Sequence, residues 1–106
     1  MTRELKIDKR FKEYLRSASD LCDGVHYVYQ FANNYGASII KHNGSYGHEN
    51  DLWELGLIKY DENDYQIWHL VYDEDRFTDV IGYLTDKDVE ELLDYIMNYK
   101  GDTYEI

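Results

Sequence analysis

The sequence predicts an α+β fold: a four-stranded antiparallel β-meander with an N-terminal and a C-terminal helix packed on one face, in the order α-β-β-β-β-α. Three observations carry that expectation. The chain has 106 residues, enough for one domain with one modest core. Its middle consists of β-branched and aromatic runs separated by short polar turns, the mark of antiparallel strands. Its C-terminal part carries apolar residues at the three-and-four spacing of an amphipathic helix. Residues 1–106 are therefore read as a single domain.

The elements follow in order. Ile7, Phe11, Leu15, Ala18 and Cys22 recur every three or four residues, with Tyr14 beside them, which predicts a helix over 8–18. Ser17, Ser19, Asp20 and the Asp23-Gly24 pair then favour a stop and a turn. Val25, Tyr27, Tyr29 and Phe31 alternate through a strand over 25–32. Asn33-Asn34-Tyr35-Gly36 reads as a hairpin turn, since Asn and Gly tolerate positive φ. A second strand spans 37–42, and a polar loop with Gly44 and Gly47 spans 43–51. The third strand covers 52–60, Asp61-Glu62-Asn63-Asp64 forms a hairpin loop, and the fourth strand covers 65–72. Connections this short imply antiparallel neighbours, because parallel pairs need long crossovers.

The C-terminal helix has the fullest signature. Thr85 is a natural N-cap, and Asp88 sits at the capping-box position. Val89, Leu92, Leu93, Ile96 and Met97 form its apolar stripe. Asp86, Asp88, Glu90 and Glu91 occupy the start, where the helix dipole favours anions. Lys100 and Gly101 are expected to close it. The stripe must bury itself, and the sheet offers the large apolar face.

Charge narrows the function. Lys and Arg number 11 and Asp and Glu 22, a formal net charge of −11. Residues 1–16 run against that balance, with Arg3, Lys6, Lys9, Arg10, Lys12 and Arg16 facing Glu4, Asp8 and Glu13. In so acidic a chain this segment is expected to meet the protein's own acids rather than act as a nucleic-acid arm. The densest acidic stretch carries Asp73, Glu74, Asp75, Asp79, Asp86, Asp88, Glu90, Glu91 and Asp94 against Arg76 and Lys87. Such a stretch repels phosphate, which argues against direct binding of nucleic acid or of anionic membranes. It suits a partner with a basic surface, whose opposite field would speed encounter.

Other classes fall away. Twelve Tyr, two Trp and three Phe argue against disorder. No apolar run approaches the roughly 18 residues of a membrane helix. No charged-then-apolar leader pattern opens the chain, so export is not expected. One cysteine, Cys22, allows neither an internal disulfide nor a cysteine-based zinc site, and its place on the apolar stripe predicts a buried, inert thiol.

Local chemistry is sparse. His26, His42, His48 and His69 are scattered, without the HExxH pattern of a zinc site. Asp61–Asp64 and Asp73–Asp75 lack the central glycine of a calcium loop and read as solvated turns. Gly44-Ser45-Tyr46-Gly47 leads into a strand without the Lys-Ser/Thr of a phosphate loop, and Ser45 with His48 lacks an orienting acid. No cofactor, metal or catalytic group is therefore expected. Tyr and Trp beside acids on a small sheet suit a protein interface.

Several stretches carry a resemblance: Asn34–Ser38, Leu52–Leu55, Asp79–Thr85 and Val89–Leu93. Over about residues 26–99 the chain resembles a group of small acidic proteins encoded by phages and prophages of Gram-positive bacteria. The resemblance implies a protein acting in the cytoplasm of a bacterial host, on a host protein. One example of such action is the anti-CRISPR type, in which an inhibitor fills the DNA-binding cleft of a CRISPR effector nuclease. Together these expectations describe a non-enzymatic acidic inhibitor, a DNA mimic. Its partner-binding residues would be Tyr72, Asp73, Glu74, Asp75, Asp79, Asp86, Glu90, Glu91 and Asp94. The alternatives are a self-associating accessory protein, since an open sheet can dimerise through its edges, and an enzyme or small-ligand sensor that uses the 43–51 loop.

Overall fold

In the computed structural model, which describes residues 3–105, an antiparallel sheet of six strands carries one α-helix. The strands are β1 (Leu15–Leu21), β2 (Gly24–Gln30), β3 (Tyr35–Lys41), β4 (Trp53–Tyr60), β5 (Trp68–Leu70) and β6 (Ile81–Leu84). The helix, α1, spans Asp86–Met97. Strands β1 to β5 lie in sequence order, and β6 returns to pair with β4. On β4, Ile58–Tyr60 pair with β5, and Trp53 and Leu55 pair with β6. The α+β class and the antiparallel sheet stand; the expected four-stranded meander does not, because five strands run in sequence order and a sixth returns to β4.

The N-terminal helix is the main correction. Only Lys9–Tyr14 coil, as a 3₁₀ turn that opens with the Asp8 carboxylate accepting from the Arg10 N–H. The chain then extends into β1 instead of continuing to Ala18. Arg16, Ser17, Ala18, Ser19 and Asp20 supply no apolar helix face, and Ser and Asp compete for helix hydrogen bonds. As a strand they use the two-residue turn Cys22-Asp23 to pair with β2, from Asp20 opposite Val25 to Ser17 opposite Val28. Cys22 takes a positive φ of 53° in that turn, so its thiol is exposed, not buried.

Further boundaries move: of the turn expected over Asn33–Gly36, Tyr35 and Gly36 belong to β3, which pairs them with Lys59 and Ile58. The predicted fourth strand shrinks from 65–72 to Trp68–Leu70. Asp61 Oδ1 accepts from the N–H of Asn63 and Asp64, and Asp64 Oδ1 accepts from that of Gln66. These local bonds hold the turn open as far as Ile67, where a ladder would otherwise begin. At the C-terminus, α1 stops at Met97 with Asn98 as its cap, before Lys100. Gly101 still reverses the chain, at φ +82°, where a Cβ would lie 2.5 Å from the Tyr35 hydroxyl.

Register decides the core. Tyr27, Ile39 and Leu55 are cross-strand neighbours, as are Tyr29, Ala37 and Leu57, and all six belong to one face of the sheet. Val89, Leu92, Leu93 and Ile96 of α1 bury themselves in the same cluster, joined by Phe11, Phe31 and Trp53. The opposite face holds a smaller cluster of Val28, Ile58 and Tyr60 under Trp68. Trp68 on β5 and His26 on β2 stand three strands apart, yet their ring centroids are 6.2 Å apart. The sheet therefore curls toward that side.

Candidate functional site

The expected partner-binding acids do not form one patch. They divide between an open cleft and several internal contacts. The cleft, about 970 Å³, lies between the 73–75 turn, the end of α1 and the chain that follows it. Its carboxylates are Asp73, Glu74, Asp75, Asp94 and Asp102, and Lys100 is the base among the lining residues. Three phenol rings, Tyr95, Tyr99 and Tyr104, complete the wall.

Asp73 builds the cleft from within. It is only 3% exposed. Its Oδ1 accepts from the N–H of Asp75, Arg76 and Phe77, and its Oδ2 accepts from the Tyr99 hydroxyl at 2.8 Å. Burial pushes this carboxyl up, but those four donors outweigh it and hold the group below the ordinary aspartate value. Burial and the neighbouring Asp73 carboxylate raise the Tyr99 hydroxyl well above an ordinary phenol. The pair thus stays carboxylate and phenol at neutral pH, and it clips the turn to the chain after α1.

Rings line up around that clip. Tyr99 packs edge-on to Tyr35 at 5.0 Å and beside Tyr95 at 5.8 Å. The Arg76 guanidinium lies 4.5 Å from the Tyr95 centroid. Tyr72 stands just outside, paired through its backbone with Tyr104.

The remaining acids have other tasks. Asp86 accepts from Trp53 Nε1 at 2.8 Å, at the far end of α1. The Lys41 Nζ lies 4.0 Å from the same indole's centroid and 3.2 Å from Asp51 Oδ1. Glu90 accepts from the Asp8 N–H, and Asp94 pairs with Arg10 at 3.0 Å. The basic N-terminal segment thus meets the chain's own acids at Arg10, and again where Arg3 reaches Asp20. Asp79 Oδ1 accepts from the next N–H, and Glu91 is exposed.

Sequence reasoning missed Tyr95, Asn98, Tyr99, Asp102 and Tyr104. The first three were within reach. Asp94, Tyr95, Asn98 and Tyr99 recur at one and four residues along the helix and its exit, marking a second, polar-aromatic face. Asp102 and Tyr104 enter only because Gly101 turns the chain back.

The polar groups of the 43–51 loop are tied to the loop itself and to the strands and turns beside it, as where the Asn43 N–H meets Asp23 Oδ1 and the Tyr46 N–H meets Glu54 Oε1. Ser45 Oγ accepts from the His42 N–H and donates to the His42 carbonyl, and His42 Nδ1 accepts from the Gly44 N–H. Among the described residues, no three His, Cys, Asp or Glu side chains gather to hold a metal ion. Among them, too, no helix is long and apolar enough to cross a membrane. Comparison with protein-family models, curated proteins and solved structures finds no match.

Proposed function

We propose that this chain is a non-enzymatic interaction protein whose acidic, tyrosine-lined cleft binds the basic groove of a nucleic-acid-handling protein and blocks it. The observation that carries this reading is the cleft's composition, five carboxylates and three tyrosine rings around one opening. Carboxylates accept from the guanidinium and ammonium groups that line nucleic-acid grooves. Tyrosine faces add cation–π and apolar contact to the same cations. The stacking of Arg76 on Tyr95 is an internal instance of that contact. The resemblance to small acidic phage proteins supplies the setting, a bacterial cytoplasm, and one candidate partner, a CRISPR effector nuclease.

The test uses the exposed acids and spares Asp73, which the fold needs. Tagged protein captures partners from a bacterial lysate, and the purified partner is then titrated with wild type and with the Glu74→Gln, Asp75→Asn, Asp102→Asn triple variant. Three exposed ion pairs at about 0.5 kcal/mol each predict a loss of about tenfold in affinity. The variant should also show a flatter salt dependence, and duplex DNA should compete with the wild type. Unchanged affinity, or a stable ternary complex with DNA, would sink the reading.

A further inference from the structure

The segment from Glu62 to Leu70 is lightly held. Trp68 is half-buried there, and every other residue of that run is exposed. Its strand, β5, has three residues and pairs with β4 alone. Just past it the Val71 N–H donates to the Leu57 carbonyl. The Leu70 side chain lies over Gly56, and Arg16 lies 5.7 Å from the Tyr65 ring centroid. The main apolar hold is the Trp68 indole, which packs on Val28, Ile58 and Tyr60.

The same indole meets His26 edge-on, with ring centroids 6.2 Å apart at 75°. His26 Nε2 lies 2.8 Å from Ser38 Oγ, a partner without charge. The other groups around the imidazole do not compensate a positive ring. Ser19 stands opposite it on β1 and Ile40 opposite it on β3. His42 follows Ile40 by two residues and shares its face. Glu54 on β4 lies opposite Ile40, and its Oε1 accepts from the Tyr46 N–H. Asp23 in the β1–β2 turn accepts from the Asn43 N–H. Asp61 and Asp64 accept from N–H groups of their own turn. His69 is next to Trp68 on β5, so it points to the opposite side, where it meets Glu105. Among the described residues no carboxylate bonds to His26.

We infer that His26 and Trp68 form a pH-sensitive latch: protonation of His26 releases the indole and the 62–70 segment and uncovers Val28, Ile58 and Tyr60. The physical cause is burial without a counter-charge. Burial disfavours the charged ring, and His42 adds a like charge, so the imidazole is held below its ordinary value of 6.5. The indole face returns something to a cation, but the net shift is downward. Once the indole lifts, the imidazole is hydrated and titrates as an ordinary histidine. The open form therefore takes up its proton first as pH falls through 6.5. The latch is closed above that pH and weakens as pH falls toward and below the closed-state value. A local opening is enough, because a short strand with one half-buried side chain belongs to the least stable part of a fold. The core under α1 lies on the other face of the sheet and stays closed. The inference does not rest on the acidic cleft.

Acrylamide quenching of tryptophan fluorescence tests the latch on the full chain. Trp53 is 1% exposed, so quenching reports Trp68. From about pH 8 to about pH 5, the range in which histidine titrates, the wild-type quenching constant should rise several-fold. His26→Gln keeps a hydrogen-bond partner for Ser38 and cannot titrate, so its constant should stay flat. His69→Gln should keep the rise, because that ring faces away. A flat wild type, a rise that survives in His26→Gln, or its loss in His69→Gln would each overturn the inference. Hydrogen exchange separates local release from general acid softening. At the lower pH the β4–β5 ladder amides and the Val71 N–H should lose protection, and those of the β2–β3 ladder should keep it. Equal loss in both ladders counts against the latch. A third measurement needs no variant. In NMR spectra of wild type, the Trp68 indole N–H should shift with the same midpoint as the His26 ring protons, and below that of an ordinary histidine. Separate midpoints overturn the coupling even where His26→Gln fails to fold.

Discussion

Asp73 shows how one residue can look like surface chemistry and act as structure. In the sequence it is one acid of Asp73-Glu74-Asp75, a solvated turn. In the fold its carboxylate satisfies three backbone N–H groups and the Tyr99 hydroxyl. Asp73→Ala leaves those donors without their acceptor and should cost about 2–4 kcal/mol in urea unfolding. Asp73→Asn retains an acceptor oxygen and should cost less. The pH dependence has a definite sign. The folded carboxyl titrates below the ordinary value of 3.8, so its contribution is present above that pH. It is lost as pH falls through the folded value, because the unfolded chain takes up the proton first. Wild type should therefore lose stability in this acid range more steeply than Asp73→Asn, and equal slopes would contradict the assignment.

Among the elements, α1 is the one whose local signals agree best. Thr85 Oγ1 accepts from the Asp88 N–H at 3.1 Å, and Asp88 Oδ2 accepts from the Thr85 N–H at 3.0 Å. Both halves of the capping box were legible because each partner lies three residues from the other. Thr85→Ala removes one half and should cost about 1 kcal/mol, read as a lower urea midpoint with an unchanged slope. An unchanged midpoint would mean that packing of the apolar stripe alone fixes the start of α1. The neighbouring β6 was not legible. Four residues, with Tyr83 at φ 59°, show no alternation, and they become a strand because β4 offers an unpaired edge. The 3₁₀ turn and β1 failed for a related reason. Ile7, Phe11 and Leu15 have helical spacing, but the polar residues after them gain more by pairing with β2 than by coiling in water.

At the scale of the whole molecule, charge and burial oppose each other. A net charge of −11 is held within a Cα radius of gyration of 12.9 Å. Cross-links against it include the exposed pairs Arg3–Asp20 and Arg10–Asp94, the Lys41–Asp51 pair and the contact His69–Glu105. Each exposed pair is worth about 0–1 kcal/mol. Screening of the summed repulsion should therefore outweigh screening of the pairs. Raising salt from low ionic strength to about 0.15 M, where the Debye length is about 8 Å, should raise the melting temperature by a few degrees. A fall in melting temperature would mean that the pairs dominate.

The class of fold, the three central strands, the start of α1 and the excess of negative charge all follow from the order of the amino acids. Each of these rests on neighbours within a few residues, through alternation, capping and turn chemistry. Tertiary structure alone decided which acids share a cleft, which are tied to Trp53 or Arg10, and that β1 is a strand. Those outcomes depend on contacts between residues far apart in the chain. Asp73 meets Tyr99 and Trp53 meets Asp86 only after the sheet has curled and α1 has buried its stripe. No local pattern encodes such a meeting, because the energy that enforces it is the burial of the whole core.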